Sequence, residues 1–202
     1  FFLVLIWILC MAHQADDESK QNDMSRLTEI TTKNGIKVYG AFVDNLSLPL
    51  LIYRNVFKKA TSKQKINEFL YARNWTANGW SWGSGASSTP HYHHNCHETL
   101  VIVRGSASIK WGANGNVAGT AYEGDVIFQP AGCFHAGNGC SDDCVTLGIY
   151  PKGSPQWNFN YNAPNQKQQE SIKTVPVPPD PVFGGDDGIL KFAQMLQKQC
   201  KI

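Results

Sequence analysis

Short apolar runs separated by turn signals dominate the middle of the chain, over residues 79–150. The runs are rich in Val, Ile, Trp and Phe, and the turns include GANG at 112–115 and GNG at 137–139. Strand-like runs at this even spacing predict an all-β sandwich or barrel. Two further strand-like runs, at 36–39 and 48–53, precede this region.

The sequence on either side of the β region follows other patterns. Apolar residues at helical spacing predict one short helix within 58–74 and a terminal helix over 188–199. Residues 151–181 hold seven of the ten prolines, which favours an extended arm. The chain is therefore divided into a polar N-terminal arm (13–34), a β-barrel domain (35–150), and a proline-rich arm with a terminal helix packed on the barrel (151–202).

The first residues form a continuous apolar run, FFLVLIWILCM, over 1–11. A helix that crosses a bilayer needs about 20 residues, so this run is too short to span one and fits a secretory signal peptide. We expect a signal peptide over 1–12, with cleavage after Ala12 or Ala15, and a secreted mature protein outside the membrane. A buried N-terminal strand is the alternative, which the acidic residues at 16–18 disfavour.

Secretion permits disulfide bonds, and five cysteines remain once the leader is removed. Cys140 and Cys144 flank a short turn, which predicts a disulfide between them. Cys96 and Cys133 are interpreted as packing residues or as a mutual pair, and the alternative is that a thiolate joins a metal pocket. Cys200, near the C-terminus, is available for a bond between two chains.

Composition indicates a folded core and limits the possible partners, and two sequons are candidate glycosylation sites. Hydrophobic residues make up 42% of the chain, which is enough to build a core. The net charge is +2 and no basic stripe accompanies it, so we expect no nucleic-acid partner. The sequons at Asn45 and Asn74 are candidate glycosylation sites, although a packed Asn74 beside Trp75 is the alternative.

Four of the six histidines lie within seven residues, between 91 and 97. A spacing of two residues places the His91 and His93 side chains on the same face of a strand. Glu98 follows them, and His135 comes after a second strand-like run. Imidazoles with a carboxylate suit iron, manganese, nickel or zinc. Three histidines and one glutamate would leave one or two positions of an octahedral metal open for chemistry.

Two segments resemble the conserved motifs of the cupin superfamily. The segment from His91 to Gly105 resembles the first motif, and the segment from Gly124 to His135 resembles the second, although Gly139 stands where that motif ends in Asn. Further runs, among them 48–53, 150–153 and 175–181, resemble the YjlB-like cupin family. The resemblance implies a single jelly-roll barrel that holds one divalent transition metal, with iron or manganese favoured over nickel or zinc. The implied metal ligands are His91, His93, Glu98 and His135.

Residues next to the implied ligands are given other roles. Strand alternation directs His94 away from His93 and His97 away from Glu98, so both are read as surface residues or as outer neighbours of the ligands. Tyr92 is expected in the core. The aromatic residues of the arm at 157–161 are a candidate cover for the mouth of the barrel, although such residues also dock simply to bury area.

The resemblance and the candidate ligands lead to a functional expectation. We expect a secreted, metal-dependent oxidoreductase of the dioxygenase type that acts on a small oxygen-rich molecule, with Glu98 as a base as well as a ligand. A germin-like oxalate oxidase or manganese superoxide dismutase is one alternative. A non-catalytic extracellular cupin that binds metal or a small ligand is another, because the fold hosts both classes. Formation of a homodimer is left open.

Overall fold

The structure is a computed structural model that describes residues 26–82, 87–185 and 188–200. The expected signal peptide over 1–12 lies outside these residues. The strands are β1 (Thr28–Lys33), β2 (Ile36–Ala41), β3 (Leu50–Tyr53), β4 (Trp75–Trp82), β5 (Glu98–Arg104), β6 (Ser106–Trp111), β7 (Val117–Tyr122), β8 (Val126–Gln129), β9 (His135–Cys140) and β10 (Val145–Pro151). The helices are α1 (Lys63–Tyr71), α2 (Gln166–Thr174) and α3 (Gly188–Cys200).

The strands form two antiparallel sheets that face each other. The larger sheet has the order β1-β2-β3-β8-β5-β10-β4, and the smaller has the order β7-β6-β9. This arrangement is a single jelly-roll barrel with helices outside it, which confirms the fold predicted from the sequence. Among the described residues, no helix is both long enough and apolar enough to cross a membrane.

The central strands of the larger sheet are buried on both faces. In β3, Leu51 and Tyr53 pack in the cluster that includes the apolar residues of α1 and α3. Leu50 and Ile52 alternate with them and pack in the cluster between the two sheets. A strand covered on both faces has no solvent-facing positions, which explains why its sequence is a continuous apolar run rather than an alternating one.

A buried ion pair ties β3 to β8 at the end of the sheet. Arg54 Nη1 lies 2.5 Å from Asp125 Oδ2, and the backbone N–H of Asn55 donates to Asp125 Oδ1 at 2.9 Å. The preceding Gly124 has a φ of +92°, and a Cβ there would lie 2.2 Å from the carbonyl oxygen of Phe57. Only glycine allows this close approach of the two turns.

Two parts of the predicted domain division differ from the structure. The polar arm expected over 13–34 contains strand β1, which is joined to β2 by Asn34-Gly35 with both residues at positive φ. Asn-Gly is a strong signal for a two-residue hairpin. The extended arm expected after residue 150 contains helix α2, which begins at a capping box formed by Asn165 and Gln168.

The disulfide predicted between Cys140 and Cys144 is absent. None of the cysteines among the described residues, Cys96, Cys133, Cys140, Cys144 and Cys200, forms a disulfide bond. The prediction assumed a hairpin, but β9 pairs with β6 in one sheet and β10 pairs with β5 and β4 in the other. The turn therefore crosses between the sheets, and the two thiols lie within hydrogen-bonding distance of each other without a covalent bond between them.

Both sequons lie in exposed turns. Asn45 and Asn74 each adopt a positive φ, of 56° and 61°, and each is exposed. Asparagine is one of the few residues that accept this left-handed conformation readily. Glycosylation of the two side chains stays a prediction.

A buried carboxylate holds the C-terminal segment against the barrel. The Tyr53 hydroxyl donates to Asp180 Oδ2 at 2.7 Å, and the backbone N–H groups of Val182 and Phe183 both donate to Asp180 Oδ1 at 2.8 Å. Asp180 is fully buried. Beyond it, α3 buries its apolar face in the same core cluster.

We predict that Tyr53→Phe destabilises the fold by about 1–3 kcal/mol, because Asp180 Oδ2 then lacks a donor in the core. Urea unfolding measures the change. Tyr161→Phe is the matched control, since Tyr161 is 57% exposed and its loss should cost less than about 0.5 kcal/mol. Equal stabilities of Tyr53→Phe and the parent chain would contradict this role of Asp180.

Candidate metal centre

The two sequence motifs meet through a backbone pairing between the sheets. The N–H of His91 donates to the carbonyl of His135 at 3.1 Å, and the N–H of His135 donates back at 2.9 Å. His135 begins β9, and the segment that carries His91 and His93 leads towards β5. This backbone pairing therefore brings the histidines of the two motifs close together.

Three imidazoles converge inside the barrel. The ring centroids of His91 and His135 are 4.3 Å apart, and His93 lies 5.5 Å and 5.6 Å from the two. Each ring offers one nitrogen, and these three atoms lie within 4.8 Å of one another. All three residues are buried, with exposures of 4–5%. This spacing permits a single cation to contact all three.

Backbone carbonyls determine which nitrogen of each ring faces inward. His91 Nδ1 donates to Thr89 O at 2.8 Å, His135 Nδ1 donates to Cys133 O at 3.0 Å, and His93 Nδ1 donates to the carbonyl of Asn158. A carbonyl can only accept, so each Nδ1 carries the hydrogen. Each Nε2 is then left with a free lone pair, as a metal ligand requires.

Glu98 lies beside these lone pairs. Its Oε2 is 3.2 Å from His135 Nε2 and 3.6 Å from His93 Nε2. Tyr150 OH donates to Oε1 at 2.6 Å, and Gln129 Nε2 donates to Oε2 at 3.0 Å. Since Tyr150 and Gln129 are on the strands at either side of β5, the sheet itself orients the carboxylate.

The pKa shifts differ among the site residues. Burial lowers the pKa of His93, but the hydrogen bond to Glu98 and the charge of that carboxylate outweigh burial and raise it above its ordinary value. Burial alone raises the pKa of Glu98, but His135 and His93 outweigh it and hold that pKa well below the ordinary value. Burial, followed by the neighbouring His135, lowers the pKa of His91 to about 4. Burial and then the charge of Glu98 raise the pKa of Tyr150, so its phenol stays a donor.

This donor set fits a transition-metal ion. The imidazole nitrogens and a carboxylate oxygen face one another, with His135 Nε2 3.2 Å from Glu98 Oε2, and a cation between them would replace the hydrogen bond that the two groups otherwise share. Three nitrogens and one oxygen suit iron, manganese, nickel or zinc. The buried histidine group therefore provides a site for a metal ion.

The proline-rich arm covers the site. The Phe159 ring lies 4.8 Å from His91 and 5.5 Å from His93, and the Trp157 ring lies 6.2 Å from His93. Beneath them is a cavity of about 30 Å³, which Leu100, Thr146 and Tyr150 also line. A water molecule occupies roughly 10–15 Å³ by this measure, so the space admits a ligand of a few heavy atoms.

The neighbouring histidines have roles apart from the cavity. His94 is half-buried and binds the arm, with its Nε2 accepting from Asn158 Nδ2 at 2.8 Å. His97 is 2% exposed, so it is not a surface residue, and of the two roles expected for it only that of an outer neighbour of the ligands remains. Its Nδ1 accepts from the N–H of Ala131 at 3.0 Å, which directs its ring away from Glu98. Tyr92 is fully buried in the core, as predicted.

Cys96 and Cys133, which lie beside the two motifs, are neutral thiols rather than thiolates. Burial, followed by the charge of Glu98, raises the pKa of Cys96 to about 12. Burial also raises the pKa of Cys133 well above its ordinary value, and its side chain belongs to the core between the sheets. Both are free, so the structure supports the packing interpretation and not a mutual disulfide.

Sequence reasoning missed the residues that orient the ligands. Tyr150 and Gln129 were read only as strand residues, although each is a polar residue in an apolar strand beside β5. Asn158 acts through its backbone carbonyl, which any residue type has, and no sequence signal marks it. The nearby Trp157 and Phe159 were identified as a candidate cover, and the structure places them there.

A metal site between the two sheets of a jelly roll is typical of cupins. Comparisons with known proteins identify the same family. Residues 76–147 match the Cupin family. The uncharacterized protein YjlB of Bacillus subtilis is 30% identical over 158 residues, which cover 76% of this chain and 90% of the relative. The chain therefore belongs to the cupin family and is a YjlB-like cupin.

Solved structures of oxalate decarboxylase from Bacillus subtilis are also similar. One variant is 18% identical with a TM-score of 0.34, over 66% of this chain and 30% of the other. A second structure, from work on Mn(II) centers, is 17% identical with a TM-score of 0.34, over 78% and 40% of the two chains. The matched part is thus less than half of those proteins, and their activity is not transferred to this chain.

We predict that His91→Ala, His93→Ala and His135→Ala each lose most of the bound metal, because each removes one nitrogen ligand. Elemental analysis of the purified variants gives the metal-to-protein ratio. His97→Gln is the control, since glutamine can keep the bonds to Ala131 and Pro176 while an imidazole is removed. Loss of metal from His97→Gln, with retention in His93→Ala, would contradict the proposed ligand set.

Removal of the Tyr150 hydroxyl should weaken metal binding without removing a ligand. We predict that Tyr150→Phe lowers the affinity for Mn(II) by about 10- to 100-fold, because Glu98 Oε1 loses its donor. Calorimetric titration of the apoprotein measures the affinity. Thr99→Val is the control, because Thr99 is buried on the opposite face of β5 and should leave the affinity unchanged. Unchanged affinity in Tyr150→Phe would show that the hydroxyl does not orient Glu98.

Proposed function

We propose that this cupin is a metal-dependent oxidoreductase that acts on a small oxygen-rich molecule. In this proposal His91, His93, Glu98 and His135 bind one iron or manganese ion. The observation that carries the proposal is the convergence of three fixed Nε2 lone pairs on one small, covered cavity. A purely structural histidine cluster would have no need for three identical tautomers, each held by a separate carbonyl.

A bound iron or manganese ion would supply one-electron chemistry and polarise a coordinated oxygen atom. The histidine rings hold their Nε2 atoms towards the cation, and the Glu98 carboxylate offsets part of its charge. Glu98 acts as a ligand in this proposal, and its expected second role as a base stays a prediction that Glu98→Gln tests. Tyr150 holds its proton on the phenol oxygen, 2.6 Å from Glu98 Oε1.

The walls of the cavity support a small substrate. Trp157, Phe159 and Leu100 exclude bulk water from the ligand atoms, which protects a reactive centre from side reactions. A space of about 30 Å³ leaves no room for an extended ligand unless the arm moves. A compact molecule with one or two oxygen donors matches both the size and the open coordination positions.

Secretion is part of the proposal and is supported by the sequence alone. The apolar run over 1–11 has the length of a signal-peptide core, and the sequons at Asn45 and Asn74 are compatible with a secretory route. The exposed positions of both asparagines would make them accessible to the modifying enzyme.

The proposed activity is tested by reconstitution of the apoprotein with Fe(II) or Mn(II) in the absence of oxygen. Oxygen consumption is then measured with diketones, catechols and oxalate, together with the metal spectrum before and after each addition. We predict oxygen uptake with at least one of these compounds and its loss in Glu98→Gln, which keeps the shape of the side chain but removes the charge.

Two outcomes would overturn the proposal. A metal that stays bound, exchanges no ligand and consumes no oxygen would indicate the non-catalytic metal-binding cupin. Equal turnover by Glu98→Gln and the parent chain would remove Glu98 from the reaction. Lys110→Met serves as a control for charge changes, because this exposed lysine lies on β6 and lines no part of the cavity.

A further inference from the structure

A second and larger cavity lies outside the metal centre. It has a volume of about 390 Å³ and is enclosed by residues 95–97, 151–155 and 175–179, together with Asn74. We refer to it as the proline-walled cavity, because prolines occupy five of its lining positions. Pockets of roughly 300–1,000 Å³ are the usual size for small-molecule binding, and the metal cavity is far below that range.

The apolar walls of the proline-walled cavity are held in place by side chains of the barrel. His97 Nε2 donates to Pro176 O at 3.2 Å, Trp75 Nε1 donates to Pro179 O at 2.8 Å, and Asn95 Nδ2 donates to Gln156 O at 2.7 Å. Proline also has a fixed φ and no N–H, so these walls are stiff and offer no donors. The cavity is therefore formed before a ligand arrives, which reduces the entropic cost of binding.

Three consecutive residues of the lining, Lys152, Gly153 and Ser154, carry donors, and Asn95 Oδ1 is a buried acceptor of the same lining with no hydrogen-bond partner among the described residues. Lys152 Nζ contacts the Tyr71 hydroxyl at 3.0 Å, and no carboxylate within the described ranges forms an ion pair with it. Gly153 and Ser154 follow in a turn closed by the bond from Ser154 N to Pro151 O at 3.1 Å. Within the described part of the chain, the Gly153 amide and the Ser154 hydroxyl donate to no protein atom.

Lys152 carries the one formal charge among the residues that line the proline-walled cavity, and that charge is positive. The lining thus combines the Lys152 ammonium with the N–H of Gly153 and the O–H of Ser154, while five prolines and two valines supply most of the remaining wall.

We propose that the proline-walled cavity binds a small carboxylic acid with an aliphatic or aromatic body. The carboxylate accepts hydrogen bonds from Lys152, Gly153 and Ser154, and the apolar body lies between the segments 151–155 and 175–179. Charge-assisted bonds from the ammonium supply the preference for an anion, and the prolines supply apolar contact area. This proposal does not depend on the metal centre.

The test compares carboxylates with neutral molecules of the same shape. Binding of benzoate, hexanoate, benzamide and hexanamide to the full chain is measured by ligand-detected NMR and calorimetry. We expect the two carboxylates to bind more tightly than their amides. Lys152→Met should weaken the carboxylates by about tenfold or more and leave the amides unchanged. Val177→Trp, at a position that is 36% exposed, should fill the cavity and abolish binding of all four.

Two controls separate the carboxylate site from incidental effects. Tyr71→Phe removes the hydroxyl that contacts Lys152 but keeps the charge, and Lys110→Met removes an exposed lysine elsewhere on the surface. Both should bind benzoate like the parent chain. Thermal unfolding of each variant shows whether it is folded. If Val177→Trp is unfolded, the comparison with Lys152→Met decides the test.

Failure of this inference can be distinguished from failure of the proposed oxidoreductase. The titrations are repeated with protein stripped of metal by a chelator, where benzoate should still bind with the same affinity. Carboxylate binding that requires the metal would place the ligand in the metal cavity and overturn the proposal. Absence of binding at millimolar concentration, or binding insensitive to Lys152→Met in a folded protein, would overturn it as well.

Discussion

The bonds from three histidine Nδ1 atoms to backbone carbonyls are the constraint on which the site depends. The carbonyls that accept these bonds belong to Thr89, Cys133 and Asn158, which lie in three separate parts of the chain. Without them, either ring nitrogen could carry the hydrogen, and an N–H directed inward would repel a cation. The geometry of the centre is therefore a property of the whole fold, because the arm after β10 must be docked before His93 is oriented.

The double burial of the larger sheet explains how this docking is achieved. One face of the sheet lines the barrel and presents Glu98, and the other packs against α1 and α3. The same sheet provides Tyr53, which binds Asp180 and holds the segment that leads into α3. His94 Nε2 accepts a hydrogen bond from Asn158 Nδ2, which further fixes the arm at the residue whose carbonyl orients His93. One face of the larger sheet therefore carries the ligand Glu98, and the other face carries Tyr53, which holds the C-terminal segment.

The sequence predicted the parts of this arrangement that depend on side-chain type and spacing. His91 and His93 were placed on one face because their spacing matches the strand period, and the jelly roll followed from the run of short strands and the cupin resemblance. The hairpin at Asn34-Gly35 had a clear signal that was overlooked. The disulfide predicted between Cys140 and Cys144 is not formed, although the two thiols interact, so the short loop between them indicated their proximity but not a covalent bond. Carbonyl partners such as Asn158 could not be predicted, since they depend on tertiary contact alone.

X-ray absorption spectroscopy of the metal in the native, untagged protein tests the central claim most directly. Scattering from imidazole rings reports how many histidines bind the ion, independently of any activity. The account predicts three imidazoles in the parent chain and two in any ion retained by His135→Ala. A protein that binds no transition metal, or one whose metal has no histidine ligands, would contradict it.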